Sequence, residues 1–352
     1  MKILVIGAGV LGSLYAGKLQ RAGHQVTLLA RGQRLVDLRE RGIELIDDLT
    51  GILTTVQTRI SERLDPEEAF DWVLVVVRKN QVGGVLPVLA ANHHTPNVLF
   101  LVNNAAGPAE LVQALGRERV VLGFPGAGGR REGSAVRYVL ASKVQPTTLG
   151  ELDGRITPRL EQISRALQEA GLPTRYSDNM DAWLKTHAVL VAPLAAGVYL
   201  AGGDIYRLAR TRDGLTLIVR AVREGMKTLD ALHIPITPRG YQVLRWIPEP
   251  LIVAILQKRM PNPRTELALA RHANAARDEM CRLMVEVRDL TRTAGVPTPA
   301  LSWLAEYCDP AVPAMREGES SLALDWRGVW AAMGVLAGIG LAIGLLGRRK
   351  KR

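Results

Sequence analysis

The pattern of apolar and polar positions at the start of the chain predicts a strand, a tight turn, a helix and a second strand. Residues 2–6 form a β-branched apolar run that ends directly at Gly7-Ala8-Gly9-Val10-Leu11-Gly12. A further apolar stretch reaches Ala22, and a second strand-like run covers residues 25–29. A GxGxxG sequence between a strand and a helix is typical of a dinucleotide-binding turn. The alternative is a glycine-rich turn in another kind of α/β protein.

The same alternation of strands and helices continues through the first half of the chain. Residues 71–77, 98–102 and 120–124 are continuous apolar runs of the kind found in parallel strands buried on both faces. Helical stretches separate them, which is the doubly wound pattern. We therefore predict an α/β Rossmann-type doubly wound domain over residues 1–176, closed by a helix and a short strand.

After Ser177 the pattern changes to helical periodicity with few strand signals. We predict four helices in an all-α domain over residues 177–309. Their expected bounds are 181–200, 213–232, 249–260 and 266–294. A linker over 310–328, a C-terminal hydrophobic helix over 329–347 and a basic tail over 348–352 complete the predicted organisation.

The C-terminal hydrophobic helix changes the expected location of the chain. Residues 329–347 carry no charge, are long enough to cross a bilayer core and contain two GxxxG spacings. We predict membrane attachment with the other domains in the cytoplasm, and a homodimer is possible. The basic tail conflicts with a simple single span, so spanning and interfacial attachment both stay open. A buried core helix is the alternative.

Composition excludes several other classes of function. The formal net charge is +11, but five of the positive charges belong to residues 348–352. No nucleic-acid-binding module is visible, and we predict no nucleic-acid partner. The two cysteines, Cys281 and Cys308, are too few for a disulfide framework. The sequence contains no Cys/His cluster of the kind that binds a metal, so we predict no metal site.

The residues around the predicted turn indicate which dinucleotide would bind. Gly7, Gly9 and Gly12 would form the tight turn, and the backbone N–H groups at Val10, Leu11 and Gly12 would face the phosphates. NAD-selective sites place an acid at the end of the second strand. This chain has Arg31 there instead, whose guanidinium suits a 2′-phosphate, although it could be an ordinary surface arginine. We predict NADP(H) as the cofactor.

The domain order and three local sequences resemble the ketopantoate reductases (2-dehydropantoate 2-reductases) over roughly residues 1 to 308. The family reduces a 2-oxo acid with NADPH in a cleft between its two domains. The resemblance implies Lys185, within Asp181-Ala182-Trp183-Leu184-Lys185, as the general acid. It implies Glu279 as the contact to the substrate hydroxyl and Asn103 as the asparagine at the nicotinamide end.

The chain also departs from the family pattern. Two family asparagines, four and eight residues after the lysine, are replaced by Val189 and Pro193. These residues predict a more apolar pocket wall and poor activity on ketopantoate, whose hydroxyl would lose its partners. The family lysine after the fourth strand corresponds to Arg78, or with a one-residue slip to Lys79, and we expect one of them to contact the cofactor.

We therefore predict NADPH-dependent reduction of a small 2-oxo acid, with Lys185, Glu279 and Asn103 in the catalytic site. A purely structural role remains open for Lys185 and for Glu279. Lys185 could simply pair with Asp181 four residues earlier, and Glu279 could pair with Arg282 on a charged helix face. The alternative function is a non-catalytic, membrane-associated NADP-binding protein.

Overall fold

The computed structural model describes residues 1–141 and 145–329, which form an α/β domain and a helical domain. The predicted hydrophobic helix and basic tail lie outside the described residues, apart from Val329. The elements of the α/β domain are, in chain order, β1 (Lys2–Ile6), α1 (Val10–Arg21), β2 (Gln25–Leu29), α2 (Gly32–Arg41), β3 (Ile43–Asp47), β4 (Leu53–Val56), β5 (Arg59–Ser61), β6 (Trp72–Val75), α3 (Val82–Ala91), β7 (Val98–Leu101), α4 (Ala109–Leu115), β8 (Val120–Phe124), β9 (Ala127–Glu132), β10 (Ala135–Leu140), β11 (Thr147–Gly150), α5 (Pro158–Glu169) and β12 (Thr174–Tyr176).

The main sheet has eight strands in the order β12-β11-β8-β7-β6-β1-β2-β5. Its strand pairs are parallel except for β11 against β8. The central strands β6 and β7 are buried along their whole length, because helices cover both faces of the sheet. The carboxyl ends of β1, β6 and β7 meet at one edge of the sheet, which is where ligands bind in folds of this type.

A second sheet of four strands, in the order β4-β3-β10-β9, was not expected from the sequence. It packs on α1 near the start of that helix: a Cβ atom placed on Gly129 of β9 would lie 3.1 Å from Cγ1 of Val10. Strand β9 reads Ala-Gly-Gly-Arg-Arg-Glu, which has neither an apolar run nor an alternating pattern. Its position comes from pairing with β10 and not from local propensity.

The helical domain is built around α6, the helix that follows the α/β domain. Its helices are α6 (Met180–Leu200), α7 (Ile205–Arg210), α8 (Arg212–Ala231), α9 (Glu249–Arg259), α10 (Pro263–Thr265), α11 (His272–Ala275), α12 (Arg277–Ala294) and α13 (Pro299–Glu306). Within the described ranges, α6 alone is long and apolar enough to cross a membrane, but most of its apolar window is buried inside the protein. It is the core helix of this domain.

The helix predicted over residues 266–294 is interrupted in the structure. A π-helical stretch covers Glu266–Arg271, α11 follows, and Ala276 leaves helical geometry with φ −123° and ψ 37° before α12 begins. The break places Glu279 in the first turn of α12. Periodicity across residues 266–294 does not reveal it, since the apolar spacing continues on both sides.

Residues 310–328, which were predicted to be a linker, lie against the helical domain; we name this segment the strap. The buried Asp213 accepts a hydrogen bond from the backbone N–H of Leu322 at 2.9 Å. The buried Glu249 accepts one from the N–H of Asp325, also at 2.9 Å. Because each of these buried carboxylates accepts a hydrogen bond from a strap amide, the strap is an integral part of the domain.

Candidate active site

The turn between β1 and α1 has the geometry that a bound diphosphate requires. Gly7 has φ +111°, and a Cβ there would lie 2.3 Å from the carbonyl oxygen of Val76. A Cβ on Gly12 would lie 1.6 Å from the carbonyl oxygen of Gly7, so the helix can approach only without a side chain. A Cβ on Gly9 would meet nothing within 4 Å. Gly9 therefore borders open space of the kind that a phosphate group can enter.

The first turn of α1 points unpaired donors into that space. The first helical hydrogen bond runs from the N–H of Ser13 to the carbonyl of Gly9 at 3.0 Å. The N–H groups of Val10, Leu11 and Gly12 come before it and have no intrahelical partner. Together with the positive end of the helix dipole they form an anion-binding surface.

Arg34, which the sequence did not single out, braces this turn from the side. Its buried guanidinium donates to the carbonyl of Ala8 at 3.2 Å, to Oγ of Ser13 at 2.9 Å and to the carbonyl of Ser134 at 2.7 Å. The three bonds connect the turn to the second sheet. Burial lowers the pKa of Arg34, and the nearby Arg131 lowers it further.

Arg31 lies where the sequence placed it, beyond the carboxyl end of β2. β1 and β2 run parallel with Ile6 opposite Leu29, so Arg31 is level with Ala8 of the turn. It precedes α2, and its side chain is exposed. The side chain can therefore reach a group bound beside the turn without displacing any buried contact.

Asn103 and Glu279 meet across the two domains. Nδ2 of Asn103, just after β7, donates to Oε1 of Glu279 on α12 at 2.8 Å. Glu279 is only 6% exposed. Oδ1 of Asn103 is buried and has no hydrogen-bond partner among the described residues. The structure thus brings two of the three predicted catalytic residues into contact and leaves one amide oxygen available to a ligand.

Lys185 lies near Gly107, at the far end of the loop that begins with Asn103. Its ammonium pairs with Asp181 on α6, as the simpler interpretation of the sequence expected. The side chain is nevertheless buried rather than exposed, and a Cβ on Gly107 would lie 3.3 Å from its Nζ. The carboxylate that balances Lys185 is therefore Asp181 and not Glu279. Both Lys185 and Glu279 approach the loop that follows β7.

The structure separates the roles of Arg78 and Lys79. Arg78 reaches across the cleft to the helical domain, where it donates to Oδ1 of Asp278 at 2.8 Å and to the carbonyl of Ala275 at 2.7 Å. Lys79 is buried, with Nζ 3.7 Å from Oε1 of Glu286 and 3.8 Å from Oε2 of Glu110. Arg78 is thus at the surface of the cleft, and Lys79 is below it.

An aromatic group that the sequence analysis missed borders the same cleft. Phe124 ends β8, one residue beyond the pairing of Leu101 with Gly123, so it is close to Asn103. Its ring lies 4.2 Å from the ring of His187, and Trp183 stacks on His187 with ring centroids 5.4 Å apart. Burial, and then the charge of His272, lower the pKa of His187 to about 4. His187 is therefore neutral at physiological pH.

His272 completes the set of titratable groups on this side of the cleft. Burial is the largest influence and lowers its pKa, whereas the carboxylate of Glu279 raises it and Arg78 lowers it again. In sequence, His187 is two residues from Lys185, and His272 is seven residues from Glu279. Only their position in space connects them with Asn103.

The expectation that Val189 and Pro193 form an apolar wall of the substrate pocket is wrong. Val189 has no exposed surface and packs against α8, where a Cβ on Gly225 would lie 2.7 Å from its Cβ. Pro193 is also buried inside the helical domain. Both residues are core positions, so the structural reason for expecting poor activity on ketopantoate is removed.

Comparison with known proteins agrees with this architecture. Residues 3–154 match the family described as Ketopantoate reductase PanE/ApbA. The chain is 26% identical over 209 residues to the 2-dehydropantoate 2-reductase of Archaeoglobus fulgidus, which covers 58% of this chain and 67% of that protein. The first part of the chain thus matches the ketopantoate reductase family, and the chain is a distant relative of these reductases.

Solved structures of ketopantoate reductases and a related dehydrogenase share the fold. The structure of 2-dehydropantoate 2-reductase from Geobacter metallireducens superposes with a TM-score of 0.72 at 18% identity, covering 89% of this chain and 100% of that one. The ternary structure of D-mandelate dehydrogenase with NADH and anilino(oxo)acetate gives a TM-score of 0.71, also at 18% identity, covering 88% and 97%. The two-domain fold is therefore shared with these solved structures.

Proposed function

We propose that this ketopantoate reductase family member reduces a small 2-oxo acid to the 2-hydroxy acid with NADPH. The observation that carries the proposal is the bond of 2.8 Å between Asn103 and Glu279 across the cleft. It lies at the carboxyl edge of the sheet, two strands from the glycine-rich turn, or about 10 Å at the usual strand spacing. That distance suits a dinucleotide whose phosphates lie at the turn and whose reactive ring lies at Asn103.

The residues present fit such a cofactor. Gly9 borders open space at the start of α1, and Oδ1 of Asn103 is a buried acceptor without a partner in the described part of the chain. Gly7, Gly9 and the N–H groups of Val10 to Gly12 would hold the phosphates, and Asn103 would orient the nicotinamide end. When bound, the nicotinamide supplies the hydride.

NADP(H) is the cofactor we favour over NAD(H). Arg31 is exposed beside the turn, and the exposed Arg131 balances the carboxylate of Asp37 on α2 at 3.7 Å. A 2′-phosphate gains charge-assisted hydrogen bonds from a guanidinium in this position, whereas a 2′-hydroxyl would lack its usual carboxylate acceptor. The D-mandelate dehydrogenase structure contains NADH, so NADH is compared with NADPH in the experiment below.

Lys185 is the residue we propose as the proton donor to the developing alkoxide. His187 cannot serve as the acid at neutral pH, because its pKa of about 4 leaves it without the extra proton. Lys185 is an ammonium held by Asp181 next to Gly107, on the loop that carries Asn103. A positive charge there also stabilises negative charge on the substrate oxygen.

Glu279 and Arg78 are proposed to hold the substrate and close the site. Glu279 can accept a hydrogen bond from the product hydroxyl while it orients Asn103. Arg78 takes the position of the family lysine in preference to Lys79, because its guanidinium is 42% exposed at the cleft and Lys79 is enclosed by two carboxylates. The partly exposed Phe124 and His187 give the cleft an aromatic side.

The test is NADPH oxidation by the purified chain with a panel of 2-oxo acids that includes ketopantoate, aliphatic acids and phenylglyoxylate. We expect at least one acid to be reduced, and NADPH to be used in preference to NADH. NADPH binding without turnover of any acid would contradict the proposal and favour the non-catalytic NADP-binding alternative, and absence of NADPH binding would contradict both.

Two variants assign the chemistry once a substrate is known. Lys185→Ala should lower turnover by at least about a hundredfold with NADPH affinity nearly unchanged, since general acid catalysis contributes that much or more. Lys258→Ala, an exposed lysine on α9, is the matched control. Glu279→Gln should reduce turnover and substrate affinity. Full activity in Lys185→Ala would remove the lysine from the mechanism.

A further inference from the structure

The segment after β7 is fixed by α12 at a second point beyond the Asn103–Glu279 bond. We name residues 103–107 the Asn103 loop. Oε2 of Glu286 accepts hydrogen bonds from the backbone N–H groups of Ala105 at 2.9 Å and Ala106 at 3.1 Å. Glu286 is 2% exposed and Ala105 is completely buried. Without this carboxylate, the N–H of the buried Ala105 and that of the more exposed Ala106 would both lose their partner.

Two cations compensate the buried charge of Glu286. Nζ of Lys79 lies 3.7 Å from its Oε1, and Nε of Arg282 lies 3.6 Å from the same atom. Lys79 comes from the α/β domain and Arg282 from α12 itself. Desolvation of a buried carboxylate is costly unless it is paired and hydrogen-bonded. The cluster therefore joins the two domains through one charged group below the cleft.

The spacing along α12 gives this arrangement its effect on the site. Glu279 and Glu286 are seven residues apart, so they project from nearly the same face of the helix, about 10 Å apart along its axis. Glu279 contacts the side chain of Asn103, and Glu286 holds the backbone two and three residues later. The Asn103 loop is thus attached to one rigid helix at two points.

We propose that Glu286 is a positioning residue for Asn103, and that Lys79 serves by neutralising Glu286 and not by contacting the cofactor. The proposal rests on the proposed function, because it assigns Asn103 to the reacting centre. Glu286 acts through the loop backbone: it fixes where the amide of Asn103 lies relative to Glu279 and the nicotinamide end of the cofactor site. Of the two cations that pair with Glu286, Arg282 matches no motif of the family. Lys79 matches the family lysine only if the sequence is shifted by one residue.

The chain contains a matched control for removing this carboxylate. Glu224 on α8 also accepts from two backbone N–H groups, those of Ala300 at 3.1 Å and Leu301 at 2.8 Å. These amides begin α13, away from the cleft. Glu224→Ala therefore removes the same type and number of hydrogen bonds from the same domain without touching the Asn103 loop.

The experiment compares Glu286→Ala with Glu224→Ala by amide hydrogen exchange and by NADPH-dependent turnover. We expect faster exchange in peptides covering residues 103–107 only in Glu286→Ala, and a fall in kcat of about tenfold to a hundredfold, the cost of a small misplacement at a reacting centre. NADPH affinity should change less than kcat. Adding Asn103→Ala to Glu286→Ala should lower kcat no further than Asn103→Ala alone.

Unchanged exchange in residues 103–107, turnover equal to that of Glu224→Ala, or fully additive effects with Asn103→Ala would each overturn the proposal. If Glu286→Ala does not fold, Glu286→Asp keeps the charge near Lys79 but withdraws the oxygen from the two amides, and the same changes are expected. If the native chain reduces no 2-oxo acid, the proposed function fails, and the exchange measurement alone decides the role of Glu286.

Discussion

His187 should make the stability of the native chain depend on pH in a window where few carboxylates titrate. The imidazole packs against both Phe124 and Trp183, and the nearby His272, which itself faces Glu279 and Arg78, adds positive charge. The change we consider is His187→Phe, which keeps an aromatic ring in the stack and removes the titrating group.

The size of the effect follows from the pKa. Burial, and then His272, lower the pKa of His187 from the ordinary 6.5 to about 4 in the folded chain. Above pH 6.5 the imidazole is neutral in both states and costs nothing. As the pH falls from there, His187 becomes protonated in the unfolded chain while it stays neutral in the folded chain. Folding stability is therefore lost between pH 6.5 and about 4, by up to about 3 kcal/mol.

The assay is urea unfolding of both proteins, followed by tryptophan fluorescence, at pH values from about 7 down to about 4. The free energy of unfolding should fall more steeply in the native chain than in His187→Phe, and the difference between the curves reports His187 together with its electrostatic coupling to His272. His93→Asn, which removes an exposed loop histidine, is the control and should run parallel to the native curve. Parallel curves for His187→Phe would refute the reasoning.

Three further predictions concern the cofactor site and the cysteines. Gly9→Val should fold normally but lose NADPH binding, because the new side chain would fill the open space beside the turn; tight NADPH binding by this variant in a fluorescence titration would contradict the placement of the phosphates. Arg31→Ala should weaken NADPH binding by about tenfold to a hundredfold and leave NADH binding unchanged; an equal loss for both would show that Arg31 does not contact a 2′-phosphate. Cys281 should be alkylated faster than Cys308 by limiting iodoacetamide, as measured by mass spectrometry. The hydrogen bond from Cys308 and then the charge of Arg277 lower the pKa of Cys281, whereas the same bond and burial raise the pKa of Cys308. Faster alkylation of Cys308 would contradict this prediction.

The parts of the fold that could be predicted are those in which local sequence and tertiary burial agree. Strands β6 and β7 are buried on both faces, so their apolar runs are continuous and easily recognised. Strand β9 is polar and rich in glycine and is held in place by β10. The break at Ala276 likewise has no local signal, since neither glycine nor proline stands there.

The candidate site likewise contains residues that the sequence could indicate and residues that only the folded structure brings together. The glycine-rich turn and Arg31 follow from backbone geometry and charge within a short segment, and resemblance to a family pointed to Asn103 and Glu279. Phe124 and His187 touch only after the chain has folded, with sixty-two residues between them in sequence. Glu286 belongs to no motif, and its two backbone partners are 181 and 180 residues away in sequence. Pairs of this type are set by topology, so a single sequence gives no local sign of them.

The strap has a consequence for how the chain would respond to attachment at its C-terminus. It is fastened to α8 through Asp213 and to the start of α9 through Glu249, and Gly328 lies against Pro248. Any tension or tether applied beyond Val329 would therefore be received by the helical domain. The α/β domain, which carries the dinucleotide turn, would stay unloaded. Anchoring would thus act first on the part of the chain that carries Lys185 and Glu279, and on the α/β domain only through its contacts with that part.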